Sequence, residues 1–232
     1  MTSTPGSDAP TAATTNPPAD SRASLPRFSR ATRAVHWATA ALFAVCVLTA
    51  LALYVGPIAV LVGRRAVVST VHVYAGLALP LPALVGLLVR TVREDARVLE
   101  RFGPYDWEWL RSKDRRTGRL PIGKFNAGQK LNAAFTSGAV LVMLVSGVML
   151  WQPDPWPVQY RTGATFVHDW LALLFVVLVL GHLRFAFRDP EARRGMRTGG
   201  VSRGWARREH PGWAAEHEPP ASPRPPDGSG EV

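Results

Sequence analysis

The sequence predicts an all-α membrane protein, a four-transmembrane-helix bundle. Two observations carry that expectation. Four windows, Ala34–Gly63, Ala66–Val89, Leu131–Gln159 and Thr162–Leu183, contain no Lys or Arg and are almost entirely apolar. Each holds a stretch of about 20 residues, the length a helix needs to cross roughly 30 Å of hydrocarbon. The second observation is that Lys and Arg crowd into alternate connections between these windows.

The elements follow in order. Residues 1–26 are rich in Thr, Ala, Pro and Ser and lack the apolar core of a secretory signal peptide, so they read as a disordered tail. Span one is expected over about 35–56 and span two over about 66–90, with Pro80 and Pro82 kinking the second. A loop over 91–130 leads to span three at about 131–151, and span four follows at about 164–187. The Pro/Gly-rich end, 216–232, reads as a second disordered tail, leaving one membrane domain over 27–215. The single cysteine, Cys46, lies inside span one, where it cannot form an internal disulfide. There is no Cys-x-x-Cys-His attachment motif and no cysteine cluster for iron–sulfur ligation.

A net charge of +10 would suit a nucleic-acid binder, but the placement of the charges excludes that class. Twenty-three Lys and Arg flank the first span's start, fill the 91–130 segment or follow span four. Only Arg64, Arg65 and Arg161 occupy the other two connections. Positive charge collects in cytoplasmic loops, so both termini and the 91–130 loop are expected in the cytoplasm. The excess also suits contact with anionic lipid headgroups. Trp37, Tyr54, Trp151, Trp156 and Tyr160 near span ends suit interfacial belts.

Four of the six histidines, His36, His72, His168 and His182, lie in the spans, and ionisable residues inside a membrane mark functional sites. His168 and His182 are 14 residues apart. That is nearly four helical turns, so they share a face about 21 Å apart along the axis. His36 opens span one from the inside, and His72 comes early in span two, which starts outside. Depth therefore pairs His72 with His168 near the outer side and His36 with His182 near the inner side. Two neutral imidazoles at one depth supply both axial ligands of a haem iron. Bis-histidine haem b requires no covalent cysteine link, and two pairs imply two haems b between the helices. Gly76, Gly86, Gly138, Gly147 and Gly181 allow close approach of a porphyrin or of a neighbouring helix. Asp169 reads as a first-turn residue stabilising the start of span four, and His210 and His217 as solvated.

The string Lys124-Phe125-Asn126-Ala127-Gly128-Gln129-Lys130 enters span three from the cytoplasm. Asn126, the Gly128 N–H and Gln129 offer donors for the carbonyl oxygens of a quinone; helix capping is the competing role for the two amides.

These residues carry a resemblance. Arg27-Phe28-Ser29, Arg33-Ala34-Val35-His36-Trp37, His72 with Gly76, the Lys124–Lys130 string, Ser146-Gly147 to Trp151, His168, Gly181-His182, and Trp205-Ala206 to His210-Pro211-Gly212-Trp213 recur together. On them the chain resembles the gamma, cytochrome b subunit of membrane-bound respiratory formate dehydrogenases, a family of di-haem membrane anchors, over about Arg27 to Trp213. The resemblance implies haem-iron ligation by His36, His72, His168 and His182, and menaquinone contact by Asn126, Gly128 and Gln129. It also implies an iron–sulfur subunit and a molybdenum or tungsten catalytic subunit as partners, in the cell membrane of a bacterium, in anaerobic respiration. The chain is then an electron-transfer subunit, with no residue that acts on formate itself. Arg184 stands where the family often has Tyr, and Glu209 where it often has His, which leaves the partner open. Related cytochromes serve hydrogenases and sulfur-compound reductases. A haem-free anchor with a histidine proton relay is the rival of another class, and the lack of ionisable groups at mid-span depth opposes it.

Overall fold

The computed structural model describes residues 24–113, 115 and 119–218. A short strand, β1 (Ser24–Pro26), leads to α1 (Arg30–Tyr54). Ser29 starts this helix: its Oγ accepts the Thr32 N–H at 3.0 Å. Twenty-five residues rise about 37 Å, enough to cross a bilayer. The helix stops at Val55, before Gly56 and Pro57, because Pro57 has no N–H to continue it. A separate short helix, α2 (Gly56–Val62), therefore takes the end of the first apolar window.

The second span, Arg65–Gly86, is broken as its prolines predict, into α3 (Arg65–Ala78) and α4 (Leu81–Gly86). At the break the Leu79 N–H tightens onto Gly76 O at 3.2 Å. The 91–130 segment is helical in two pieces, α5 (Arg90–Glu100) and α6 (Pro104–Arg111). Then come α7 (Ala127–Trp151) and α8 (Val158–Arg188). A compact end follows: α9 (Pro190–Thr198), β2 (Gly200–Ser202), α10 (Arg203–Glu209) and α11 (Pro211–His217).

Several boundaries differ from the sequence expectation, among them the starts of α1 at Arg30 and of α7 at Ala127, both ahead of the expected 35 and 131. Ser24–Pro26, placed in the N-terminal tail, pair antiparallel with β2, Leu25 facing Val201. Glu216 and His217, placed in the C-terminal tail, close α11, and Glu218 follows as its C-cap; the remainder of both tails lies outside the described residues. α8 begins at Val158, after Pro157, so Asp169 sits well inside the helix and stabilises no first turn.

The four long helices are four candidate membrane spans. Their aliphatic side chains face outward: Leu48 is 65% exposed and Leu180 61%. So much contiguous apolar surface suits hydrocarbon and not water; the protein is an integral membrane protein. Its tightest core lies outside the spans, where Leu25, Val201, Trp205, Ala206, Trp213 and Ala214 cluster. Within the bundle α1 lies along α3, α7 along α8, and α3 against α7. Phe175 meets Phe43 and Phe135 mid-bundle, with ring centres 4.8 and 5.8 Å away. At Gly86 a Cβ would lie 2.5 Å from Val35 Cγ2, so this glycine serves helix packing. Four consecutive crossings bring the start of α1, the α5–α6 segment and the C-terminal elements to one end, the capped end.

Candidate functional site

The structure brings the four span histidines together in the two expected pairs. The His36 and His182 rings stand with centres 6.2 Å apart, at the level nearer the capped end. The His72 and His168 rings stand 6.3 Å apart, at the level nearer the other end. These separations test whether the residues fit an iron. An imidazole nitrogen binds a transition metal at roughly 2.0–2.1 Å and lies about 1.1 Å from its ring centre. Two imidazoles on opposite sides of one ion then have centres about 6.3 Å apart, so both pairs fit an ion between their rings. Tighter packing would have put the rings in contact, and looser packing would leave the second ligand out of reach.

Neighbouring groups shape the two sites differently. A Cβ at Gly147 would lie 3.2 Å from His168 Cε1, so this glycine lets the imidazole lie against α7. Gly76, Gly138 and Gly181 have open space on the side where a Cβ would project. Behind the His72–His168 pair stand two hydroxyls to which the sequence assigned no role. Thr49 Oγ1 is 2.9 Å from His72 Nδ1, and Ser146 Oγ is 3.0 Å from His168 Nδ1. Ser and Thr inside a helix usually bond only to the carbonyl one turn back, so sequence alone gave no signal of this second contact.

The Lys124–Lys130 string lies at the capped end. Phe125 packs on Phe28 just before α1, ring centres 6.1 Å apart. Since α1 starts at Arg30, the string sits about 9 Å of helix rise below His36. Asn126 and Gln129 form a reciprocal cap: Asn126 Oδ1 accepts the Gln129 N–H, and Gln129 Oε1 accepts the Asn126 N–H, both at 3.0 Å. Both amide oxygens are occupied in this way, and each amide keeps its NH2 group as a donor. Gly128 lies under the Trp109 ring, to which a Cβ would come within 3.2 Å. Its N–H belongs to the first turn of α7, where no helical carbonyl is in reach.

The string is held rigidly by a knot that includes His210. This residue was expected to be solvated, but it is buried, as is Arg27. One Arg27 Nη2 donates to Lys124 O at 2.7 Å and to His210 Nε2 at 2.9 Å, while His210 Nδ1 donates to Gly123 O at 2.7 Å. The guanidinium lies over the rings of Trp205 (4.7 Å), Phe28 (5.0 Å) and Trp213 (5.7 Å). Burial lowers the Arg27 pKa to about 10, against the opposing pull of Asp189, Asp95 and Glu209, so the group stays cationic at neutral pH. Lys124 pairs with Asp95 and Lys130 with Asp106, fixing both ends of the string. Gly212 is indispensable to this fit, since a Cβ there would lie 2.7 Å from Pro121 O. The sequence signal for His210 was its place in the Trp205–Trp213 element.

Comparison with known proteins identifies the family of the chain. The cytochrome b556(Fdn) subunit of the nitrate-inducible formate dehydrogenase of Escherichia coli K12 is 34% identical over 100 residues, 42% of this chain and 46% of the relative. The cytochrome b556(fdo) subunit of a formate dehydrogenase from the same strain is 28% identical over 97 residues, 40% of this chain and 46% of the relative. The formate dehydrogenase cytochrome b556 subunit of Haemophilus influenzae is 29% identical over 97 residues, 40% of this chain and 41% of the relative. The chain thus spans about half the length of the curated relatives it matches. The sequence profile of the prokaryotic cytochrome b561 family covers far more of the chain, residues 27–199. With four membrane spans and paired imidazoles inside them, the chain belongs to the prokaryotic cytochrome b561 family and, as a cytochrome b, binds haem b.

Proposed function

We propose that the chain is the di-haem cytochrome b subunit of a formate dehydrogenase-type respiratory complex in a bacterial cytoplasmic membrane. It anchors a molybdenum or tungsten catalytic subunit through an iron–sulfur subunit and passes electrons across the bilayer to menaquinone. The observation that carries this reading is the pair of imidazole gaps, 6.2 and 6.3 Å, at two depths of one bundle. When bound, two haems b supply one-electron carriers at those depths.

The protein's own residues do the rest. His72 and His168 hold the outer iron, and His36 and His182 the inner one. Helices α1, α3 and α8 fix these rings from both sides, and the apolar span surfaces exclude water. At the capped end the NH2 groups of Asn126 and Gln129 and the Gly128 N–H face a quinone's carbonyl oxygens with donors, while adjacent water provides protons on reduction. The names of the relatives support formate as the donor's substrate. The test is a pyridine haemochrome assay on the purified, assembled protein, with about two haems b per chain expected. A count near zero or one sinks the reading.

Orientation is tested separately. The charge asymmetry, 23 cations against three, supports a cytoplasmic location for the capped end. Alkaline phosphatase fused to the C-terminus, active only outside the cytoplasm, is expected to be inactive. High activity would invert both the topology and the direction of electron flow.

A further inference from the structure

The two imidazole pairs differ in what stands behind them. Thr49 and Ser146 each have one hydroxyl hydrogen, and each directs it into its own helix. Thr49 donates to Val45 O at 2.6 Å, and Ser146 to Val142 O at 2.8 Å. Each hydroxyl oxygen is thereby left to accept, so the hydrogens of the contacts with His72 and His168 are on the imidazoles. His72 Nδ1 donates to Thr49 Oγ1 and His168 Nδ1 to Ser146 Oγ. Both outer rings are then fixed as Nδ1–H tautomers with the lone pair on Nε2, the form that binds iron. The chain from imidazole to hydroxyl to carbonyl is polarised in one direction, because a hydroxyl that donates is a better acceptor.

The inner pair has no such support. Among the described residues, neither His36 nor His182 makes a hydrogen bond through its ring; their ring neighbours are each other and, for His36, Trp37 at 5.4 Å. The charges nearby differ in the same sense. Asp169 adjoins His168, with Arg65 and Arg161 two helical turns farther out, whereas Arg33 lies one turn before His36 and Arg184 two residues after His182. An imidazole that donates from its far nitrogen is a stronger electron donor and favours the oxidised metal. Nearby cations favour the reduced metal, and a nearby carboxylate the oxidised one.

We propose that Thr49 and Ser146 are positioning residues that fix the outer imidazoles for iron and hold the outer haem at a lower reduction potential than the inner haem. The inference rests on the di-haem reading above. The difference moves one electron from the outer site to the inner site, oxidising the first and reducing the second, toward the amides of Asn126 and Gln129. No proton moves in this step.

The test is redox potentiometry of purified di-haem protein, read in the α band, with haem counted in every sample. Wild type should give two waves, and the His72→Ala protein should lack the lower one, which assigns that wave to the outer site. Thr49→Val and Ser146→Ala should each raise the lower wave and leave the upper unchanged. Each change should lower the outer-to-inner equilibrium constant by about two- to ten-fold, the worth of one hydrogen bond. Thr49→Ser, which keeps the oxygen, should restore the wild-type position. If a variant loses one haem, loss of the lower wave supports the assignment and loss of the upper overturns it. Unmoved waves, or a shift confined to the upper one, also overturn it. A wild-type count other than two strikes the di-haem reading itself, and not the role of the hydroxyls.

Discussion

Protein carrying His72→Ala or His168→Ala is expected to hold one haem b per chain and to lose the outer one; His36→Ala or His182→Ala should lose the inner one. The reason lies in the two separate gaps. Each ring faces one partner, at 6.2 or 6.3 Å, and the other pair lies about four helical turns away, so no remaining histidine can substitute. Losing one of two protein ligands removes half the coordination that retains a non-covalent haem. Haem counts and low-temperature spectra of the four variants check this, and the four should sort into two spectroscopic classes. Loss of the same component from His36→Ala and His72→Ala proteins would mean that the pairing does not describe the bound sites.

The second large effect concerns the amides at the start of α7. Their oxygens cap the helix and their NH2 groups do not, which allows the two roles to be separated. In an Asn126→Asp/Gln129→Glu double variant the capping oxygens remain, and negative charge at a helix N-terminus is favourable, so α7 should start as before. The two NH2 donors are gone, however, which leaves only the Gly128 N–H, and carboxylates repel quinone oxygens. Each lost hydrogen bond costs about 0.5–1.5 kcal/mol, and up to ~3 where a partner is left buried and unpaired. Menaquinone-analogue binding is therefore expected to weaken about ten- to hundred-fold, with slower reoxidation of reduced protein in stopped flow. Both haems should remain, because no ligand is touched. Wild-type reoxidation with an unchanged quinone dependence would leave the amides as caps alone. The buried knot of Arg27 and His210 makes the test informative, since it holds Lys124 and Gly123 in place whichever side chains follow.

What was legible in the sequence was whatever depends on local pattern. The four apolar windows fixed the number of spans, because hydrocarbon demands about 20 residues without charge. Pro80 and Pro82 marked the break in the second span for the same local reason, a missing N–H. The 14-residue spacing on one helix and the alternation of spans paired the histidines, since helix geometry converts sequence distance into depth. The boundaries at Val158 and Ser24 were less legible, because a proline start and a two-stranded pairing with Val201 override composition.

Tertiary structure alone decided the remainder. Nothing local distinguishes Thr49 or Ser146 from any other helical hydroxyl until α3 and α8 bring a histidine to each. His210 looked solvated in a polar, arginine-rich tail, and became buried only because Arg27, 183 residues earlier, supplies it a donor and Gly123 an acceptor. Contacts of that range follow from how whole elements dock. A buried polar group must find its partner wherever the fold places one, and sequence spacing carries no record of that distance.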